Sequence, residues 1–165
     1  MIVVRTLKPD DNGRYRPLWM LGITEHQAYF RTAPEDDLPA GIPTQFTADS
    51  FTLGAFAGDE MVGIVSCERE HGAKLRHKAL VFRMFVHPDF AGKGVGSALL
   101  RHLMTSAADI AELRYLYLTV LASNERAIKL YQSFNFVTFA HESGSVKIDG
   151  RYVDELKMAC SLLAA

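Results

Sequence analysis

The chain has 165 residues, 48% of them hydrophobic, and a formal charge of −1 at neutral pH. That size and apolar content suit one globular unit with a sizeable core, and the charge balance excludes a general electrostatic pull toward nucleic acid or an anionic membrane. No apolar run nears the roughly 18 residues of a bilayer span, and the opening Met1-Ile2-Val3-Val4-Arg5-Thr6 reads as a strand rather than a signal peptide, so a cytoplasmic protein is expected.

In chain order, residues 2–6 form a first strand. Pro9-Asp10-Asp11-Asn12 supplies turn and N-cap residues for a helix through Leu18, Trp19, Leu21 and Ile23, with Pro17 disturbing its first turns. Residues 30–45 are acidic, proline-rich and without hydrophobic period, and read as a loop. A domain boundary is not expected there, because the short segment before it cannot supply a core of its own. Phe51-Thr52-Leu53-Gly54-Ala55-Phe56 and Met61-Val62-Gly63-Ile64-Val65-Ser66-Cys67 flank Gly58-Asp59, a turn pair that predicts a hairpin. A strand over residues 78–86 stops at His87-Pro88, where proline removes a donor.

Beyond it, Val95, Leu99, Leu103 and Ile110 fall near one stripe at helical spacing. Tyr115-Leu116-Tyr117-Leu118-Thr119-Val120 is a short buried strand, and Ala127, Ile128, Tyr131 and Phe134 mark a helix that Asn135 ends in the left-handed conformation. Strands over residues 136–140 and 152–160 complete the sheet, separated by residues 143–150 with the hairpin signal Asp149-Gly150. The order β-α-β-β-β-α-β-α-β-β predicts a mixed α/β (α+β) fold, helices packed on one sheet of about seven strands, in a single domain over residues 1–165.

Little in the chain points to a metal or to thiol chemistry. Cys67 and Cys160 have no ligand spacing and are expected to be buried thiols; His71, His77, His87 and His102 are not clustered.

The chemistry concentrates in Val86-His87-Pro88-Asp89-Phe90-Ala91-Gly92-Lys93-Gly94-Val95-Gly96-Ser97, between a strand and a helix. Glycines at alternate positions let backbone N–H groups converge, and the helix adds the positive end of its dipole, so a phosphate or pyrophosphate is the expected guest. The nucleotide-binding alternatives fit poorly. A P-loop needs Ser or Thr after its lysine, where Gly94 follows Lys93, and the dinucleotide fingerprint lacks its third glycine at Ser97.

A second block follows: Leu118-Thr119-Val120-Leu121-Ala122-Ser123-Asn124-Glu125-Arg126-Ala127-Ile128-Lys129-Leu130-Tyr131-Gln132-Ser133-Phe134-Asn135-Phe136. Together, in this order, the two blocks resemble the GCN5-related N-acetyltransferase (GNAT) family, whose pyrophosphate motif is Arg/Gln-x-x-Gly-x-Gly/Ala and whose next motif is a strand, an Asn and a helix bearing a Tyr.

The resemblance implies the family's mostly antiparallel sheet and acetyl-CoA as co-substrate, with no metal. The cofactor would lie between the strands ending at Val86 and Val120, lined by Met84, Phe85 and Val86, whose backbone can polarise the thioester carbonyl. Backbone N–H groups of Gly92, Lys93, Gly94, Val95, Gly96 and Ser97 would hold the pyrophosphate. Asn124 would face the pantetheine, a role compatible with capping a helix. Tyr131 matches the family's general acid, which protonates the departing CoA thiolate; packing alone would be served by phenylalanine.

Three departures qualify the match. Ala91 stands where the family commonly has Arg or Gln, Asn135 replaces a Gly, and Thr119 replaces the Glu base of the branch that acetylates ribosomal-protein N-termini. Glu68 and Glu70, at the end of the Cys67 strand, are the candidate bases. The acceptor, a primary amine of a small molecule or peptide, would meet residues 25–46 and 143–151, where Glu35-Asp36-Asp37 can attract a cation and Glu25, Phe30 or Tyr152 can line a pocket. Direct attack in a ternary complex, without an acetyl-enzyme, is expected, and a homodimer is possible. The alternatives are a CoA-binding sensor or interaction module without turnover, and a nucleotide-binding protein.

Overall fold

Residues 1–37 and 41–163 are described in a computed structural model. Its strands are β1 (Ile2–Thr6), β2 (Ser50–Ala57), β3 (Glu60–Arg69), β4 (Lys78–Val86), β5 (Tyr115–Leu121), β6 (Val137–Ile148) and β7 (Arg151–Ser161), and its helices α1 (Asn12–Glu25), α2 (Val95–Ala108) and α3 (Glu125–Ser133). The succession is the one the sequence predicts. The strands form one open sheet in the order β1-β2-β3-β4-β5-β7-β6, antiparallel except for β4 beside β5.

Helices cover both faces. On one, Val95, Leu99, Leu103 and Ala107 of α2 are buried against Leu53, Val65 and Val81 of the sheet, with Tyr131 of α3 and Phe136 in the same cluster. On the other, Tyr15, Leu18, Trp19 and Ile23 of α1 pack on Phe56, Ile64 and Phe85. Their positions recur at three and four residues, the stripe that lets a helix bury one side. Pro17 sits inside α1 without ending it. It removes one internal hydrogen bond, toward Gly13, and the face buried on the sheet holds the helix through that gap.

The entry to α1 is fixed electrostatically. Arg5 donates two hydrogen bonds of 2.8 Å to Asp11, and the Lys8 amide donates a third, also 2.8 Å. These bonds, Arg5 foremost, draw the Asp11 carboxyl down to about 2. Asp11→Asn is therefore expected to cost about 1–2 kcal/mol, a figure discounted because Arg5 is 41% exposed. The contribution is full above the unfolded carboxyl range near pH 4 and is lost as pH falls toward 2. Denaturant titration should show the mutant penalty at pH 7 and a much smaller one at pH 2.

At the other end of the chain, residues 143–150 are strand for most of their length, not loop. β6 runs on to Ile148 past an irregularity between Glu142 and Val146, where Gly144 has φ +60°. The Asp149-Gly150 turn is as expected, both residues having positive φ, which is the type I′ geometry. Asn135 has φ +67°, the left-handed end read from the sequence. No helix among the described residues is long and apolar enough to cross a membrane.

Candidate active site

β4 and β5 pair over only three positions, Lys78 to Leu80 against Tyr115 to Tyr117. Beyond these the strands separate, and the cause lies on the far side of β4. Its register against β3 slips between Ile64 and Ser66, so that two residues, Arg83 and Met84, oppose Val65 alone, and Arg83 takes φ +52°. A bulge of this kind bends its strand and adds twist. Left-handed backbone costs a non-glycine residue roughly 1–2 kcal/mol, and the Arg83 side chain is heavily tied. Its guanidinium lies 3.0 Å from Asp37, 3.5 Å from the Tyr15 hydroxyl and 4.8 Å from the centre of the Trp19 ring, while the Trp19 indole N–H donates to Asp37 at 2.5 Å. Burial pushes the Tyr15 phenol up to about 12, so it remains a neutral donor and acceptor beside the ion pair. Asp37 is therefore paired with Arg83, and of the acidic trio only Glu35 and Asp36 are exposed.

The split opens a cleft of about 590 Å³. Met84, Phe85 and Val86 form one wall, Leu118, Thr119 and Val120 the other. At one end stands the glycine loop. Gly92 and Gly94 have φ of +74° and +81°, Gly94 is the N-cap of α2, and Gly92, Gly94, Val95, Gly96 and Ser97 all line the cleft. Their arrangement presents the first, unpaired N–H groups of a 14-residue helix to the opening, the geometry that binds anions. Lys93 is not in the lining; its ammonium lies 5.1 Å over the Phe90 ring.

From α3 come three further groups. Asn124 caps that helix through its side-chain oxygen, which accepts from the Ala127 amide at 3.2 Å, and it also lines the cleft. The Asn124 amide NH₂ makes no hydrogen bond to a described residue. Tyr131 is 6% exposed and edge-on to Phe136 at 5.8 Å. Its hydroxyl has no hydrogen-bond partner among the described residues, and none of their enclosed side-chain polar atoms lacks one, so the hydroxyl opens on the cleft. Burial raises its pKa, which keeps it protonated.

Arg126 is the group that sequence reasoning missed. A Cβ on Gly92 would lie 3.2 Å from its guanidinium, and Arg126 lines the cleft. It therefore sets a cation beside the glycine loop, where Ala91 supplies none. Its signal was present in the motif, two residues after Asn124, but spacing along α3 does not reveal which loop a side chain reaches.

His26, Tyr29 and Phe30, just after α1, also line the cleft. The His26 ring lies 5.7 Å from Phe85. Of the expected acceptor-lining residues Phe30 is here, while Glu25 is exposed and Tyr152 is 70% exposed, neither in the lining. The two candidate bases lie outside the cleft as well. Glu68 accepts from the Ser50 hydroxyl and pairs with His71 at 3.0 Å. Glu70 lines a second hollow that shares Leu118 and Thr119 with the cleft. Cys67 and Cys160 are buried, as expected, and burial pushes the Cys67 thiol up to about 12.

A splayed parallel strand pair, a glycine-rich helix start and a buried phenol, all lining one cleft, define the class. The family model for the acetyltransferase (GNAT) family matches residues 19–136, and the chain belongs to that family. The chain is 30% identical over 82 residues to a spermidine N(1)-acetyltransferase of Vibrio cholerae, a match covering 50% of this chain and 47% of that protein. It thus spans about half the length of that relative. It is 26% identical to the L-2,4-diaminobutyric acid acetyltransferase of the same organism, over 73% of this chain and 69% of that one. Among solved structures, an N-acetyltransferase of Staphylococcus aureus superposes with a TM-score of 0.85 at 19% identity, over 99% of each chain. The yncA protein of Salmonella typhimurium, solved with its cofactor acetyl-CoA, gives 0.82 at 17% identity, over 100% of this chain and 96% of that one. At these identities the likeness is one of fold.

Proposed function

We propose that the protein transfers an acetyl group from acetyl-CoA to a primary amine by direct attack in a ternary complex. The observation that carries this reading is the Tyr131 hydroxyl, buried and without a hydrogen-bond partner among the described residues, opening on the same cleft as the glycine loop. The residues fit the cofactor. The glycine loop with Arg126 suits the pyrophosphate, and the β4 edge over Met84 to Val86, unpaired by β5, suits a chain that pairs as an added strand. Acetyl-CoA supplies the thioester. In this reading the β4 backbone N–H groups stabilise the oxyanion there, and Tyr131 gives its proton to the leaving thiolate.

The amine has to arrive neutral. His26 is the imidazole in the cleft wall and takes its proton, while Glu70 lines the adjoining hollow. A thiol nucleophile is disfavoured because Cys67, 0% exposed, has its pKa raised rather than lowered.

CoA release from acetyl-CoA, measured against separate pools of amino acids, polyamines, aminoglycosides and N-terminal peptides, tests the reading. Turnover in one pool is the expected result. Acetyl-CoA binding by calorimetry with no turnover in any pool would favour a CoA-binding sensor instead. In the same assay Arg126→Ala should weaken acetyl-CoA about 5- to 20-fold with kcat nearly unchanged, the loss of one charge-assisted contact to phosphate. An unchanged KM for acetyl-CoA would remove Arg126 from the site.

A further inference from the structure

Beyond Phe30, which borders the cleft, Arg31 crosses to β7 and sets its guanidinium 3.1 Å from Oε1 of Glu155. Glu155 is a carboxylate that is 2% exposed, whereas its cationic partner among the described residues, Arg31, is 62% exposed. The Ser145 hydroxyl from β6 also reaches Oε1, and it lies 3.0 Å from a carboxylate oxygen of Glu142 as well. One hydroxyl proton cannot serve both acids. Glu142 stands directly opposite Glu155 across β6 and β7, and Lys157 approaches it only to 3.9 Å.

Glu155 Oε2 receives no hydrogen bond from any described residue. Since no fully enclosed side-chain polar atom among them lacks a partner, the small exposure that Glu155 retains includes Oε2. The pair of acids is thus short of donors and held by a guanidinium that can return to water cheaply, because most of it is already there.

The sheet register relates this node to the cleft. Lys157 opposes Thr119, and Glu155 opposes Leu121. Glu155 is therefore the diagonal neighbour of Thr119 on one face, roughly 7–8 Å away, and Thr119 lines the cleft. A molecule whose reacting amine lies in the cleft at Thr119 can place a second charge on Glu155 if a few methylenes separate the two.

We propose that Glu155, backed by Glu142, anchors a second cationic group of the acceptor, which displaces Arg31, and that the acceptor is accordingly a diamine, a polyamine or a diamino acid. The substrate class rests on the acetyl-transfer reading above; the anchor itself is a binding site that stands or falls separately. Glu155 is a specificity-determining residue in this assignment and takes no part at the thioester.

Calorimetry on the CoA-loaded protein tests it, with 1,4-diaminobutane and spermidine as probes and n-butylamine as the single-charge control. At least one polyamine should bind 10-fold or more tightly than butylamine. Glu155→Gln should abolish that preference, and Arg31→Ala, on an exposed residue, should tighten the polyamine about threefold by removing its competitor. In turnover, Glu155→Gln should raise the polyamine KM at least 10-fold with kcat within threefold, and leave butylamine unaffected. A preference that survives Glu155→Gln, weaker polyamine binding in Arg31→Ala, or no polyamine binding at all would overturn the proposal. Glu155-dependent binding without CoA release would sink the acetyl-transfer reading and keep the anchor. Acetylation of mono- and diamines alike, indifferent to Glu155, would do the reverse.

Discussion

Tyr131→Phe should lower kcat by about 10²- to 10³-fold while leaving the KM for acetyl-CoA within about twofold, the range expected when a positioned proton donor is removed. The substitution is unusually clean. The Tyr131 hydroxyl has no hydrogen bond to any described residue to lose, and its ring packs edge-on to Phe136 in a way that phenylalanine reproduces. Stability should accordingly change by no more than about 0.5 kcal/mol. Thermal unfolding and steady-state kinetics on the same preparation separate the two roles: a large Tm loss with normal kcat would make Tyr131 a packing residue. The direction of its pKa has a consequence of its own. A phenol pushed above its ordinary value stays protonated through the working range, so any fall in kcat below about pH 10 must come from another group.

Gly94→Val should weaken acetyl-CoA at least 10-fold, and its effect is conformational rather than steric. A side chain at Gly94 would meet nothing within 4 Å, yet the residue holds φ +81° as the N-cap of α2. A β-branched residue resists that backbone by roughly 1–3 kcal/mol. The loop can relieve the strain only by turning the N–H groups of Val95 and Gly96 away from the pyrophosphate that the proposed function assigns to them. Gly58→Val is the matched control. Gly58 has φ +62° and equally open surroundings, but it lies in the β2–β3 turn. Both variants should lose similar stability by denaturant titration, and only Gly94→Val should lose cofactor affinity. Equal affinities would show that the glycine loop does not carry the phosphate.

Much of this site was legible before any coordinates. The spacing of Gly92, Gly94 and Gly96 before a helical stripe, and of Asn124 and Tyr131 along the next one, fixes which groups face one way, because one helical turn and one tight turn are set by their own residues. The same local logic located the two hairpins and the left-handed Asn135. Where it failed, strand continuity was at stake. Residues 143–150 carry serines and glycines that signal a loop, but pairing with β7 on either side of Gly144 carries the strand through them. Glu68 and Glu70, the candidate bases, are absent from the cleft lining for a related reason. Strand position placed them near the cleft, while Ser50 and His71 hold the first, and the second faces the neighbouring hollow.

The sequence by itself determined the element order, the glycine loop before α2 and the phenol, all properties of short segments whose periodicity and backbone preferences are local. Tertiary structure alone decided the rest. The bulge at Arg83 that parts β4 from β5 is held by Asp37, Tyr15 and Trp19 from distant segments; Arg126 reaches a loop on another element; and Arg31 meets Glu155 across 124 positions of chain. Such contacts depend on how strands are ordered in the sheet and on which faces the helices cover, and no spacing within a segment encodes a partner that only the assembled sheet brings near.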